Sequence, residues 1–314
     1  MIKTIRKKVV TLIKKNDEIA YRLRLLNIYI STIISKYIKD EDYIKIQYRL
    51  RTGNKLNLDN PVYYNEKIQW IKLNYREPIL NKLVDKYTVR EFVKERIGNE
   101  YLIPIYGVFN SIDEVDFDKL PNEFVMKLTN GSGFNYLCTN KTSDEENKIR
   151  SRFKKWIKVD FYSLGREWAY KNVKNRILCE KFLEDRSNTE LKDYKIFCFN
   201  GVPKFIQVDY CRFSNHKRNL YTPEWKYMPE SIEYESDPNA EIQKPLRLNE
   251  MLRCAKELSR GFPHVRVDFY YLEDKIYFGE LTFYHGAGYL EYKPKEFEKQ
   301  MGEWLDLTLF DSRN

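Results

Sequence analysis

Hydrophobic positions recur at helical spacing from the start of the chain. Ile2, Ile5, Val9, Leu12 and Ile13 fall on one face, with Lys3, Arg6, Lys7, Lys8, Lys14 and Lys15 elsewhere on the same turns. A helix with one apolar and one cationic face suits either an anionic membrane surface or docking on its own domain. Residues 17–50 continue as apolar-rich helix as far as the turn signal Thr52-Gly53-Asn54. Residues 55–115 read mainly as helix, interrupted at Asn60-Pro61. Within them Asp85–Arg96 is a helix closed by Gly98, and Ile103–Phe109 is a short strand.

After Pro121 the period shortens. Phe124–Leu128 and Phe134–Thr139 read as strands joined by the small-residue turn Thr129–Gly133, a hairpin with a glycine-rich tip. Asp144–Val159 is an amphipathic helix with Ile149, Phe153, Trp156 and Ile157 on one side, and Arg176–Leu183 reads as a buried strand. Lys195–Phe199 and Lys204–Val208 pair across Asn200-Gly201, a dipeptide suited to a two-residue hairpin turn. Asn249–Leu258 is helical, and Val265–Tyr271 with Lys275–Thr282 forms a last hairpin before the loop Tyr284–Tyr289.

Composition narrows the class. Gly 12 and Pro 11 in 314 residues exclude collagen-like and low-complexity chains, and 15% aromatic content argues against global disorder. No apolar run is long enough to cross a bilayer, and the N-terminus lacks the pattern of a secretory signal. Five cysteines with no CxxC pair fit a reducing cytoplasm better than a disulfide framework or a zinc site. The net charge of +9 is uneven. Residues 1–50 hold twelve Lys/Arg against five Asp/Glu, whereas the remaining 264 hold 43 against 41. A nearly neutral body argues against nucleic-acid binding.

Several residues can carry chemistry. Lys127 leads into the Gly131-Ser132-Gly133 tip, where free backbone N–H groups can face phosphate oxygens or merely form a surface turn; neither GxxxxGK[ST] nor GxGxxG occurs. Arg266 and Asp268 share one strand face, and Glu280 and Thr282 share another. Charges in such apolar strands need partners or a metal. Two carboxylates and a hydroxyl make a hard-oxygen set suited to Mg²⁺ with phosphate, and an Arg266–Glu280 ion pair is the structural alternative. Glu180 is followed by Lys181, Phe182 and Leu183, a segment that can act as a hinge. Asp193 and Lys195 project to one side of the next strand. His264 reads as structural, while His285, Gly286 and Gly288 lie in the loop after Thr282, where a substrate can meet them.

Taken in order, these segments resemble the ATP-grasp superfamily and, within it, the TupA-like family of polysaccharide and teichuronopeptide biosynthesis. The resemblance is carried by NPVYYNEKIQWIKL at 60–73, DKYTVREFVKERIG at 85–98, LPNEFVMKLTNGSGFN at 120–135, LCEKFL at 178–183, DYKIFCFNG at 193–201 and VRVDFY…YFGELTFYHGAG at 265–288. It implies an α+β ATP-grasp fold in which two lobes enclose ATP. Its expected segments are a basic helical extension (1–50), a helical region (51–120), a small lobe with a glycine-rich lid (121–183) and a C-terminal lobe with the metal site (184–314).

By the same resemblance, Lys86 and Lys127 touch the phosphates, and Asn130, Gly131, Ser132 and Gly133 form the mobile lid. Glu180 sits beside adenine, Lys181, Phe182 and Leu183 supply the hinge backbone, and Asp193 lies near ribose. Lys195 and Arg266 are catalytic cations, and Asp268, Glu280 and Thr282 hold Mg²⁺, as a pair of ions. Thr282 departs from the family's Asn, which weakens the second metal position. Arg90 and Asn65-Glu66-Lys67 match the family without an evident role. The implied activity is ATP-dependent carboxylate–amine ligation through an acyl phosphate, on a glycan or lipid-linked precursor in cell-surface polysaccharide assembly, with the basic N-terminus holding a cytoplasmic enzyme at the membrane. Phosphate or sugar transfer and a non-catalytic membrane scaffold are the other classes.

Overall fold

The computed structural model describes residues 17–35, 37–185, 191–211 and 216–310. The helix expected over residues 1–15 lies outside them.

The apolar run at 17–50 forms two helices, α1 (Asp17–Ser35) and α2 (Asp40–Thr52), where one continuous helix was expected. The second begins on Asp40, Glu41 and Asp42, a cluster of acids favoured at a helix N-terminus, and closes on Gly53 at φ 81°. Helices α3 (Tyr64–Asn74), α4 (Ile79–Leu83) and α5 (Val89–Arg96) follow. The expected helix from Asp85 starts four residues late. The Asp85 carboxylate instead accepts from the Tyr87 and Thr88 amides at 2.9 Å each, holding that stretch as a turn.

Strands β1 (Ile105–Phe109), β2 (Phe124–Leu128), β3 (Asn135–Cys138) and β4 (Ile177–Lys181) make an antiparallel sheet in the order β1-β4-β2-β3. Helix α6 (Ser143–Trp156) covers it with Ile149, Phe153 and Trp156, and starts where the Thr142 side chain accepts from the Glu145 amide. The short α7 (Phe161–Gly165) completes this lobe. Because β1 precedes Pro121, the lobe draws a strand from the segment read as mainly helical.

The second sheet runs β11-β10-β5-β6-β7-β8 and is antiparallel throughout. It comprises β5 (Asp193–Phe199), β6 (Val202–Tyr210), β7 (Lys217–Tyr221), β8 (Tyr227–Met228), β10 (His264–Leu272) and β11 (Lys275–Thr282). A separate pair joins β9 (Ser231–Ile232) to β12 (Tyr292–Lys293). Asn200 and Gly201 turn the β5–β6 hairpin with φ of 49° and 77°, the positive values such a turn requires.

Helix α8 (Leu248–Ser259) packs on one face of the sheet, with the Cys198 Sγ 3.8 Å from the Ala255 carbonyl. The other face is divided. At one end Phe197, Phe199, Phe205 and His264 pack against Tyr64 of α3 and against Phe297 and Trp304 of α9 (Lys295–Trp304), Phe197 stacking on Phe205 at 4.3 Å. At the other end the same face carries the charged residues. Every second residue of β5 lies on this face, charged at Asp193 and Lys195 and apolar at Phe197 and Phe199, and that order along the row produces the division.

Candidate active site

Strand register brings the predicted residues into rows. Lys195 on β5 lies opposite Asp268 on β10, and Asp268 lies opposite Glu280 on β11. One step along, Arg266 lies opposite Thr282. Residues 12, 16 and 73 positions apart in sequence are therefore neighbours on three adjacent strands.

Arg266 is the hub. Its guanidinium reaches both Asp268 oxygens at 2.7 and 2.6 Å, Glu280 at 3.3 Å and the Thr282 hydroxyl at 3.1 Å. Burial alone would lower its pKa, yet Asp268 and Glu280 outweigh that and raise it. Lys195 donates to Asp193 and, at 3.1 Å, to Asp268, with Asp209 3.9 Å away. Its burial is likewise outweighed by these carboxylates, and its pKa rises.

Glu280 is less buried than Asp268, its side chain 32% exposed. Desolvation pushes its carboxyl up, but Lys86, Arg266 and Lys195 together hold it down at about 2. Lys86 reaches Glu280 Oε2 at 3.5 Å and donates to the Gly131 carbonyl at 2.8 Å, so it spans from the acid row to the glycine turn.

That turn is tightly specified. Gly131 and Gly133 have φ of 70° and 76°, and a Cβ on Gly131 would strike the Phe161 ring. Asn130 is buried, with Nδ2 3.4 Å from the Val173 carbonyl, and Ser132 is exposed. Lys127, directly upstream, pairs with Glu180 across β2 and β4. The hinge follows. The Lys181 amide donates to the Pro104 carbonyl at 2.9 Å, Leu183 packs with Ile103 and Leu272, and Lys181, Phe182 and Leu183 line a cavity of about 500 Å³ with Tyr106 and Tyr277.

His285 is buried. Arg266 Nη1 donates to its Nδ1 at 2.7 Å, and burial beside Arg266 drives its pKa far below the ordinary value. The ring is therefore neutral with its proton on Nε2, an atom with no hydrogen-bond partner among the described residues. Gly286 and Gly288 shape the loop, since a Cβ would strike Leu290 at the first and Gln69 at the second.

Sequence reading missed the residues that support this loop. Asn65, Gln69 and Lys72 fall on one face of α3. They donate to the Leu290 carbonyl (2.8 Å), the Ala287 and Gly288 carbonyls (3.0 and 2.8 Å) and the Ala287 carbonyl (2.7 Å). The signal in the sequence was three polar residues at i, i+4 and i+7, the spacing of one helix face. Of the segment left without a role, Asn65 belongs to this clamp, Glu66 caps α3 by accepting from the Val62 and Tyr63 amides, and Lys67 donates to the Leu305 carbonyl. Arg90 donates to the Ile103 carbonyl. Also missed were Gln207, Asp209 and Arg218, which extend the charged face along β6 and β7.

A magnesium ion fits this donor set in one way. No group of three or more His, Cys, Asp or Glu suited to a metal occurs among the described residues, so there is no all-protein cage. Asp268 and Glu280 on paired strands with the Thr282 hydroxyl match the sparse oxygen set that holds Mg²⁺ when phosphates complete its shell.

Two antiparallel lobes, with a glycine turn on one and a cation–acid row on the other, define an ATP-grasp fold. The chain belongs to the TupA-like ATP-grasp family, whose model matches residues 66–306. Among solved structures it is similar to D-alanine–D-alanine ligase from Bacillus anthracis (17% identity, 65% of this chain and 59% of that one, TM-score 0.40). It is also similar to N5-carboxyaminoimidazole synthetase from Staphylococcus aureus complexed with ADP (15%, 64% and 44%, 0.37). A third is the L-amino acid ligase from Bacillus licheniformis (14%, 66% and 42%, 0.37). The chain thus spans about half the length of these proteins. No curated protein matches it.

Proposed function

We propose that the protein is an ATP-dependent carboxylate–amine ligase working through an acyl phosphate. The observation that carries this reading is the row Lys195–Asp268–Glu280 with Arg266 beside it, tied through Lys86 to the glycine turn. Family membership supports ATP as the substrate gripped between the lobes.

In the proposed reaction a carboxylate oxygen of the first substrate attacks the γ-phosphorus and ADP leaves with the bond's electron pair. An amine then attacks the acyl carbon, inorganic phosphate departs, and the amine nitrogen gives up its proton to leave an amide. Both reactants of the first step are anions, so the residues must cancel charge. Lys86 and Lys127 are assigned to the phosphates, and Lys195 and Arg266 to the transferring group. Asp268, Glu280 and Thr282 would hold magnesium, which supplies further positive charge to the phosphate oxygens.

The turn Asn130–Gly133 is assigned as the lid that excludes water from the acyl phosphate. Glu180, Lys181, Phe182 and Leu183 are assigned to adenine and Asp193 to ribose. His285, with its free Nε2–H, is assigned to the carboxylate substrate, in the loop shaped by Gly286 and Gly288. The substrates proposed are an amino acid and a sugar acid or similar group of a cell-surface glycan precursor, as the motif resemblance implies.

The test uses carboxylates labelled with ¹⁸O. Expected is Mg²⁺-dependent ADP release that needs both a carboxylate and an amine, with one ¹⁸O per turnover passing into inorganic phosphate. Glu280→Gln should lower turnover at least 100-fold while its thermal unfolding stays cooperative. A phosphorylated product without an amide, consumption of a nucleotide sugar, or full activity in the Glu280→Gln protein would each overturn the assignment.

A further inference from the structure

Helix α1 docks one face on the small lobe and leaves an apolar face uncovered. Ile28 is buried in the core of the small lobe, and Ser31 and Ser35 face the same side. Ser35 fixes that side, its Oγ 3.1 Å from Ser163 Oγ and its carbonyl accepting from Arg166 at 3.2 Å. At about 100° per residue, Leu23, Leu26, Ile30, Ile33 and Ile34 project from the opposite side. Their exposures are 41%, 51%, 44%, 43% and 39%. Tyr29, 66% exposed, flanks this stripe. One such residue would be ordinary on a protein surface; five aliphatic ones on one helix face form a contiguous apolar patch.

Charge decides what covers it. Residues 1–39 contain ten Lys/Arg against two acids, Asp17 and Glu18, and residues 1–15 alone contain six and no acid. A second copy packed on this stripe would bring two such cationic segments together at a cost. An anionic bilayer instead takes the Leu/Ile stripe into its acyl boundary, the tyrosine at its interface and the lysines and arginines against its headgroups. No helix of the described residues is long and apolar enough to cross a membrane, so a bilayer could meet this helix only along its side.

We propose that the Leu23–Ile34 face of α1 is a docking surface for an anionic phospholipid bilayer. The reading is independent of the catalytic assignment, because the stripe lies on the side of α1 turned away from the lobe.

The test is co-sedimentation of the full chain with vesicles of phosphatidylcholine and phosphatidylserine at 7:3, and of pure phosphatidylcholine. Leu26→Glu/Ile30→Glu/Ile33→Glu replaces only exposed side chains, and its unfolding temperature should stay within a few degrees of the parent. Expected is binding to the mixed vesicles at least tenfold stronger than to neutral ones, and a tenfold or greater loss in the triple variant. Equal vesicle binding by parent and variant would overturn the proposal. So would an absence of binding in a parent that dimerises in sedimentation velocity while the variant stays monomeric, which would make the stripe a self-association face.

Discussion

At the scale of the residue, His264 shows how burial fixes a protonation state. Its Nδ1–H donates to the Cys198 carbonyl at 3.0 Å, and its Nε2 lies 2.8 Å from the Tyr64 hydroxyl, which must then be the donor. Both nitrogens are used by the neutral ring, and burial lowers the pKa to about 3. In the unfolded chain the ring titrates near 6.5. Below that value the unfolded state binds a proton that the native state refuses. Stability is therefore full above about pH 6.5 and falls as the pH drops toward 3, by up to about 1.4 kcal/mol per pH unit. Urea unfolding between pH 7 and 4.5 should show this acid slope reduced by close to one proton in His264→Asn relative to the parent. An unchanged slope would show that His264 does not carry the term. The sequence exposed this role, since a lone histidine before an apolar strand reads as structural.

At the scale of the element, what was legible was what alternates or caps. Strands β2, β4, β5, β6, β10 and β11 announce themselves through dense Val, Ile and Phe between turn residues, and α6 through its 3–4 spacing. Strand β7 does not, because Lys217-Arg218-Asn219 puts polar residues where a surface loop would have them. Only in the fold does Arg218 find Asp209 at 2.7 Å and become part of a buried face. The α9 helix was likewise hidden, its apolar Phe297, Met301 and Trp304 being sparse among charges. The acid and cation rows were legible as separate strand faces. Their partners were not, because cross-strand register is a property of the sheet rather than of any one segment. The polar face of α3 belongs to the same class. Gln69 donates to two loop carbonyls from a fully buried position, and Gly288 has no side chain so that this approach is possible. Gln69→Ala should leave the Gly288 carbonyl without its donor and the Ala287 carbonyl with Lys72 alone, and cost about 2 kcal/mol or more in urea unfolding. A change below about 0.5 kcal/mol would mean the loop is held by Lys72 and Asn65 without it.

At the scale of the whole molecule, a small number of residues tie one sheet to the other. Lys86 is the most direct tie. Its amide donates to the Thr129 carbonyl at 2.5 Å and its ammonium to the Gly131 carbonyl at 2.8 Å, both on the small lobe. The same ammonium lies 3.5 Å from Glu280 on the large lobe. Beside it, Asp85 pairs with Arg176 at 3.1 Å, anchoring the turn that carries Lys86 to the strand that leads into the hinge. A charge placed between the glycine turn and the acid row has two effects that a surface ion pair lacks. It draws the glycine turn toward Glu280, and it lowers the cost of keeping that carboxylate ionised in a half-buried place. Lys86→Met removes the charge while keeping the bulk of the stem, so the backbone bond to Thr129 persists. The expected result is faster hydrogen exchange at 130–133 in the nucleotide-free protein, with exchange in the β5–β10 core unchanged. ATP affinity should fall at least tenfold, because the proposed phosphate cation is gone and the glycine turn is no longer held beside Glu280. If exchange at 130–133 is the same in both proteins while ATP affinity falls, Lys86 serves the nucleotide alone and the turn is held by glycine geometry and Phe161. If neither changes, the tie between the lobes lies elsewhere.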